Sequence, residues 1–362
     1  MHLGLQRRVG AGMTAGPRRD PSRELDLPAL RLALESWLSG RHGVRLSIDR
    51  LQVHPVPQQS SFALREVVAE TSGGETVRLI LKELGSGAML PDARRAKPPF
   101  VHDPRREEVV YGEFLPDGPS GTAHCYGIFV DETSNRRWLC LERVLGVELY
   151  QVGDFSAWQD AARWLAVLHA RFARDRTAWA DRSDSLLRHD EPYLRLWLKR
   201  ARTFLKTAEL APETRGALKR LARVHDVVVS RLLSLPATLI HGDCYASNVL
   251  VADLERGRRI CPVDWEMAGL GPGLLDLAAL VSGRWSEEQR TALAAAYHAE
   301  ACRPGPGSLT FAETLEALDC CRLQVALQHL GWSADWTPPA SQLHDWLGEA
   351  LALSERLGAP AH

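Results

Sequence analysis

The sequence predicts an α+β protein with two lobes, a strand-rich N-terminal lobe and a mainly helical C-terminal lobe. The chain has 362 residues, which is enough for about two domains of ordinary size. Five short apolar runs separated by turn signals precede residue 144, and longer segments with helical periodicity follow it. Because short strands joined by turns favour antiparallel pairing, we expect a five-stranded antiparallel sheet in the first lobe.

Composition narrows the class of protein. Hydrophobic residues make up 45% of the chain, which excludes disorder throughout. The 44 Lys and Arg residues balance 45 Asp and Glu residues, so we predict neither a nucleic acid partner nor a membrane partner. No apolar run approaches the roughly 18 residues of a membrane span. The seven cysteines are scattered without C-x-x-C spacing, so we expect a reduced, cytoplasmic protein.

The N-terminal lobe is predicted to begin after a disordered tail, residues 1–25. Asp26 has the side chain of an N-cap, and Pro28 lies in the first turn of the helix that follows. Gly40 and Gly43 should end this helix. Its apolar positions follow helical spacing, namely Leu30, Leu34, Trp37 and Leu38.

The predicted strands of this lobe lie in five runs: 44–53, 62–70, 76–84, 126–131 and 137–144. One helical pattern interrupts them at 104–114. The intervening segment, 85–103, contains three prolines, two arginines and one lysine and is predicted to be a loop. We place the N-terminal lobe at 26–143 and the C-terminal lobe at 144–362, where helices are expected at 157–173, 192–210, 213–233 and over most of the chain after 273.

The most informative stretch reads HGDCYASN from His241 to Asn248, and a second motif, DWE, begins at Asp264. Strand-like runs follow Asn248 and precede Asp264, so a hairpin would bring these two side chains together. An amide oxygen and a carboxylate at one point suit Mg²⁺. Asp243 would lie beside them, positioned to accept a proton from a hydroxyl. This is the layout of a kinase catalytic loop followed by its metal-binding aspartate.

The pattern H-G-D-x-x-x-x-N followed by D-W-E resembles the aminoglycoside phosphotransferase and choline kinase-like superfamily, small-molecule relatives of the protein kinases. The resemblance covers most of residues 30–350. It implies a bilobal protein kinase-like fold in which the N-terminal lobe binds nucleotide. The C-terminal lobe would carry the catalytic loop, the metal site and the substrate pocket. It also implies transfer of the γ-phosphate of ATP, or GTP, to a hydroxyl of a small molecule.

Lys82 and Glu107 fit the ion pair that such a fold needs. Alternation along the third strand-like run turns Lys82 away from Leu81, and a buried ammonium requires a carboxylate or a phosphate. Glu107 shares one helix face with the apolar residues Val110, Tyr111 and Phe114. Glu108 points about 100° away and is expected to face solvent. By resemblance, Glu107 pairs with Lys82, and Lys82 steadies the α- and β-phosphates.

The turn between the first two strands departs from the family pattern. Related proteins carry glycine there, whereas residues 55–62 read PVPQQSSF. Glycine lets the backbone approach a phosphate closely. Ser60 and Ser61 are predicted to substitute through their hydroxyl and backbone N–H groups. The resemblance places the adenine at the hinge, against backbone groups from Glu142 to Val144.

The remaining roles follow from the resemblance. Asp243 orients the acceptor hydroxyl and accepts its proton, and Asn248 and Asp264 hold Mg²⁺. His241 and Asp276 support the catalytic loop. Glu266 contacts a second metal or the substrate, or is an ordinary polar residue of the cleft; these alternatives stay open. Trp332 and its neighbours favour core packing over ligand stacking.

Two other activities are compatible with these residues. A kinase fold that binds nucleotide without catalysis would fit the glycine-free turn. Nucleotidyl transfer on the same fold would add a whole nucleotide to the product instead of one phosphate. The acceptor is open among aminoglycosides, amino alcohols, sugars, nucleosides and macrolides, and the oligomeric state is open as well.

Overall fold

The computed structural model describes residues 25–56, 61–85, 87–174, 184–255, 257–301, 309–336 and 343–359. The predicted tail, residues 1–25, lies outside the described residues except for Leu25. Within the described ranges, no helix is long and apolar enough to cross a membrane.

The first helix, α1, spans Leu27–His42 and has the predicted N-cap. The Asp26 carboxylate accepts a hydrogen bond from the backbone N–H of Ala29 at 3.0 Å. The helix ends at Gly43, whose φ of 67° is the left-handed conformation of a C-cap. Gly40 was predicted to end the helix but lies within it, because the hydrogen-bonded turns continue to the next glycine in the left-handed region.

The N-terminal lobe contains the predicted five-stranded antiparallel sheet. Its strands are β1 (Ile48–Pro55), β2 (Leu64–Thr71), β3 (Thr76–Glu83), β4 (Cys125–Asp131) and β5 (Arg136–Glu142). They are ordered β1-β2-β3-β5-β4, and every neighbouring pair is antiparallel. Leu79 and Leu81 pack with α1 in a core on one face of the sheet. Lys82 therefore points to the opposite face, as the alternation predicts.

The segment predicted to be a loop, 85–103, contains a short helix, α2 (Pro91–Ala96). Proline at the first helical position suits a helix start, although the composition of the segment favoured a loop. The next helix agrees with the prediction in extent: α3 spans Arg105–Val109 and continues as one π-helical turn, Val110–Phe114. The π turn was not predicted, since no residue pattern marks it.

The C-terminal lobe is mainly helical. Its helices are α4 (Phe155–Arg174), α5 (Glu191–Leu205), α6 (Pro212–Ser234), α7 (Leu274–Leu280), α8 (Glu287–Ala301), α9 (Phe311–Trp332) and α10 (Trp346–Gly358). The second of these ends five residues before the predicted 210. The chain turns there ahead of Pro212, which begins the following helix and disfavours helix at the residue before it.

Two small sheets support the catalytic segments. Their strands are β6 (Val147–Glu148), β7 (Leu187–Arg188), β8 (Ala237–Ile240), β9 (Val249–Leu254), β10 (Gly257–Pro262) and β11 (Gly269–Pro272). The predicted hairpin is present as β9 and β10, paired antiparallel. Strands β6, β7, β8 and β11 were not predicted, because two to four residues are too few to show alternation.

One hydrophobic core runs through both lobes. It includes Leu84, directly after β3, Leu139 of β5, Val110 from the π turn, and Leu165 and Leu277 from the C-terminal helices. The sheet ends at Glu142, and the division of the chain into units at residue 144 stays a prediction.

Candidate active site

The catalytic loop follows β8 and is fixed by a buried carboxylate from α7. Asp276 accepts hydrogen bonds from the backbone N–H groups of His241 at 2.7 Å and Gly242 at 2.8 Å. The Nε2 atom of His169 lies 3.1 Å from the same carboxylate. Gly242 has a φ of 77°, and a Cβ there would overlap the carbonyl oxygen of Met267. The start of the loop is therefore locked by charge-assisted hydrogen bonds and by a glycine that no other residue can replace without strain.

His241 connects the loop to the DWE motif. Its Nε2 atom donates to the carbonyl oxygen of Val263 at 2.9 Å, and its Nδ1 atom accepts from the backbone N–H of Asp243 at 3.3 Å. These partners require a neutral ring with the proton on Nε2. Burial lowers the pKa of His241, in agreement with this state. These contacts tie the catalytic loop to the residue before Asp264, and the supporting role of His241 stays a prediction.

Asp243 and Asn248 form one hydrogen-bonded unit. The Asn248 amide nitrogen donates to the Asp243 carbonyl oxygen at 2.9 Å and to its Oδ2 at 3.0 Å. Burial raises the pKa of Asp243 to about 7, with further contributions from Glu266 and Asp264. A carboxyl group that titrates near neutral pH is suited to accept a proton from a hydroxyl.

Asn248 and Asp264 lie at the same end of the β9–β10 hairpin. The backbone N–H of Val263 donates to the carbonyl oxygen of Asn248 at 2.9 Å, which brings the two chain segments side by side. Asp264 has a φ of 66° and a ψ of 62°. This left-handed conformation is uncommon for residues other than glycine, and such strained positions cluster at functional sites.

The donor set at this point fits Mg²⁺. The hydrogen bonds of Asn248 use its amide nitrogen and leave the oxygen for a cation. Asp264 adds a carboxylate whose pKa stays low: burial alone would raise it, but Lys82 and Lys97 outweigh that effect. Across the described ranges, no group of three or more His, Cys, Asp or Glu side chains could hold a metal ion. A magnesium ion here would take its other ligands from phosphate and water, as this ion commonly does.

Lys82 makes the predicted ion pair and a second one. Its Nζ lies 2.6 Å from Oε2 of Glu107 and 2.5 Å from Oδ1 of Asp264, and the residue is 3% exposed. Burial alone would lower the pKa of Lys82, but the charges of Asp264 and Glu107 outweigh it, so the pKa is raised and the ammonium keeps its charge. Burial raises the pKa of Glu107 to about 7. The Lys82 ammonium, which extends from β3, thus contacts both α3 and the DWE motif.

The expectation that Glu108 faces solvent was wrong. This residue is 8% exposed, and its Oε2 accepts from Nη1 of Arg137 at 2.7 Å. Helical periodicity assumes one buried face, whereas Arg137 of β5 contacts Glu108 on another side of α3.

Glu266 is in contact with two segments of the N-terminal lobe. Its Oε1 accepts from the Ser61 hydroxyl at 2.8 Å and forms an ion pair with Lys97. Its Oε2 is buried without a hydrogen-bond partner. Ser60, the other predicted phosphate-binding serine, lies outside the described residues. The structure therefore brings Ser61 to the DWE motif.

The predicted hinge is held by internal hydrogen bonds. The Glu142 carboxylate accepts from both terminal nitrogens of Arg259, at 2.6 and 2.7 Å, and from the backbone N–H of His124 at 3.0 Å. The backbone N–H of Val144 donates to the carbonyl oxygen of Glu142 at 3.1 Å. An adenine bound through these backbone groups would replace the last bond, and this role stays a prediction.

Two cations near the site were not predicted. Lys97 is the single lysine of the segment 85–103, which was predicted to be a loop. This was the only feature of the sequence that could have drawn attention to it. Arg106 is 3% exposed and donates to the carbonyl oxygens of Val101 and Ser185, both at 2.7 Å, and to that of Glu266. It stands in an Arg-Arg-Glu-Glu run, and no sequence pattern distinguishes it from its neighbour Arg105.

Two other residues of the C-terminal lobe are buried or packed against a buried ring. Cys244 is 1% exposed, and burial raises the pKa of its thiol, so it is an ordinary buried cysteine. Trp332 stacks on Trp197 with ring centroids 5.5 Å apart, which is the predicted core packing. The nearby Asp335 accepts from Arg200 at 2.6 Å.

Comparison with solved structures shows which folds this chain resembles. Among solved structures, a mutant of aminoglycoside 2′-phosphotransferase IIIa in complex with GDP has 13% identity and a TM-score of 0.55, covering 91% of this chain and 97% of that chain. A microcompartment-associated aminopropanol kinase has 18% identity and a TM-score of 0.54, covering 89% and 94%. A choline/ethanolamine kinase family protein from Mesorhizobium loti has 16% identity and a TM-score of 0.51, covering 92% and 93%.

These likenesses confirm the predicted bilobal, protein kinase-like fold. No curated protein sequence matches the chain significantly. The model of the phosphotransferase enzyme family matches residues 119–312, more than half of the chain. The chain therefore belongs to the phosphotransferase enzyme family.

Proposed function

We propose that the protein transfers the γ-phosphate of ATP or GTP to a hydroxyl group of a small molecule. The observation that carries this proposal is the position of Lys82, whose ammonium bridges Glu107 and Asp264. Asp243 and Asn248 lie on the loop that leads into the hairpin ending at Asp264. The Lys82 cation, the two proposed metal ligands and the proposed base are thus close together, as phosphoryl transfer requires.

Each residue has a separate task in this proposal. Lys82 exchanges one of its two carboxylates for oxygens of the α- and β-phosphates, while Glu107 continues to hold the ammonium in place. Asn248 and Asp264 hold Mg²⁺, which when bound neutralises phosphate charge. Asp243 orients the acceptor hydroxyl and takes its proton as the oxygen attacks the γ-phosphorus. The bond from that phosphorus to the bridging oxygen breaks, and the nucleoside diphosphate leaves. Positioning and charge stabilisation supply most of the rate enhancement.

Two segments of the chain are assigned to the nucleotide. The backbone from Glu142 to Val144 and the serines Ser60 and Ser61 are the groups we assign to the base and the phosphates. One similar structure was solved with GDP, so both ATP and GTP belong in the test.

Six cysteines in the described ranges are free thiols, which supports the predicted reduced, cytoplasmic setting.

The first test measures thermal stabilisation by ATP and by GTP, with and without Mg²⁺, together with nucleotide hydrolysis. We expect a Mg²⁺-dependent increase in Tm for the wild type that Asp264→Asn loses, because the variant removes the metal carboxylate. Asp243→Asn should keep nucleotide binding and lose about 10²- to 10⁴-fold in turnover, the usual range for a general base. Asp226→Asn, at an exposed carboxylate on α6, is the matched control.

Two results would contradict the proposal. One is a wild-type protein that neither binds nor hydrolyses either nucleotide. The other is turnover at the wild-type rate in both the Asp243 and the Asp264 variants. A mass gain of one phosphate on an acceptor identifies phosphoryl transfer, whereas a gain of a whole nucleotide identifies nucleotidyl transfer.

A further inference from the structure

Lys97 lies beside the DWE motif, in a position that the predicted mechanism does not use. It directly follows α2, and its ammonium forms an ion pair with the Glu266 carboxylate. The two side chains are only 13% and 14% exposed. Glu266 is two residues beyond Asp264, so this pair crosses from the N-terminal lobe to the metal-binding turn.

The charge of Lys97 acts on both aspartates of the site. Burial raises the pKa of Asp243, and Lys97 acts against that rise. Burial also acts to raise the pKa of Asp264, and Lys82 and then Lys97 outweigh it. The geometry behind this effect is the ion pair with Glu266, two residues beyond Asp264, which places the Lys97 ammonium beside the metal-binding turn. In the proposed mechanism the γ-phosphate lies at this turn, between Asp264 and Asp243, so the ammonium is available to it.

The turn between β1 and β2 offers few phosphate donors. It contains no glycine from Pro55 to Phe62, and its two prolines, Pro55 and Pro57, have no backbone N–H. Ser61, at the end of this turn, donates its hydroxyl to Glu266. The two prolines remove backbone donors from this turn, and without glycine its backbone approaches a phosphate less closely, so a cation from another segment can take over part of this role.

We propose that Lys97 is a phosphate-binding residue specific for the γ-phosphate, released to it from Glu266 when a nucleoside triphosphate enters. The inference rests on the proposed function and adds to it a residue that distinguishes triphosphate from diphosphate. Lys82, which is 3% exposed between two carboxylates, serves the inner phosphates. No covalent bond changes in this step; Lys97 exchanges one oxyanion for another.

The test compares two ligands that differ only in the γ-phosphate. Dissociation constants are measured with Mg²⁺ for ADP and for the ATP analogue with an imido link between the β- and γ-phosphates, or for the guanine pair if the wild type prefers it. Lys97→Met should weaken binding of the analogue about 10- to 100-fold, the effect of one charge-assisted hydrogen bond. Binding of ADP should change by less than about twofold, because ADP lacks the group that Lys97 contacts.

Three further variants control this measurement. Lys97→Arg keeps the charge and should retain most of the affinity for the analogue. Lys97→Gln can still hydrogen bond to Glu266 without a charge, so it serves if the methionine variant unfolds, and it should lose the same affinity. Arg95→Met, at a residue of α2 whose side chain is 74% exposed, should behave as the wild type.

The two proposals fail in different ways. Equal weakening of both ligands, or of neither, in the methionine or glutamine variant would overturn the role of Lys97 while leaving the proposed function intact. A wild-type protein that binds no nucleoside triphosphate with Mg²⁺ would overturn the proposed function itself.

Discussion

Replacement of Asp276 by asparagine should unlock the catalytic loop at a predictable cost in stability. The carboxylate is fully buried and accepts two backbone N–H groups, from His241 and Gly242, beside the ring of His169. Asparagine has one acceptor oxygen, and its amide nitrogen would face a donor. The variant loses one charge-assisted hydrogen bond, about 1.5–3 kcal/mol, and leaves a buried N–H unpaired, about 1–3 kcal/mol. We therefore expect a loss of about 3–5 kcal/mol in the free energy of unfolding.

Urea unfolding followed by tryptophan fluorescence measures this loss, with 11 tryptophans as reporters. The midpoint of the transition should fall for Asp276→Asn, and turnover should fall with it, because the loop that carries Asp243 is no longer fixed. Asp226→Asn is the control, since this exposed carboxylate pairs only with Arg195 among the salt bridges of the described residues. A midpoint for Asp276→Asn equal to that of the wild type, or to that of the control, would refute the reasoning.

Three other predictions follow from the same geometry. Gly242→Ala would place a Cβ against the Met267 carbonyl at a positive φ, so we expect a lower Tm and loss of turnover; an unchanged melting curve would contradict this. His189 is buried with a pKa lowered by burial to about 4, against 6.5 ordinarily, so below pH 6.5 the unfolded chain binds the extra proton and stability falls, by about 2 kcal/mol at pH 5. Urea midpoints at pH 7 and pH 5 should differ less in His189→Gln, and an equal difference would disprove the assignment. Glu142→Gln weakens the double hydrogen bond from Arg259 and should cost about 1–2 kcal/mol in the same assay, where no change would count against it.

The parts of the site that depend on the residue periodicity within one strand or helix could be predicted from sequence. Strand alternation indicated the face of Lys82, and helical spacing indicated that Glu107 is buried. The hairpin that unites Asn248 and Asp264 followed from two short apolar runs with a turn between them. In each case the relevant spacing lies within one element or between sequence neighbours.

The parts that depend on contacts between distant segments could not be predicted. Lys97 and Arg106 reach Glu266 only when the N-terminal lobe meets the DWE motif, and neither residue has a sequence spacing from Glu266 that would indicate the contact. The prediction for Glu108 was wrong for a related reason. Its burial depends on Arg137 of β5, and the helical periodicity of α3 gives no information about the position of that residue.

The alternation of β3 has a consequence for changes in chain length. The ammonium of Lys82 can reach Glu107 in only one of the two orientations that the strand allows. Inserting or deleting a single residue between Thr76 and Lys82 would turn the ammonium toward α1 and present an apolar or acidic side chain to the cleft. A length change in the turn at residues 72–75 leaves that orientation intact. Homologous phosphotransferases should therefore differ in length at this turn and not within β3.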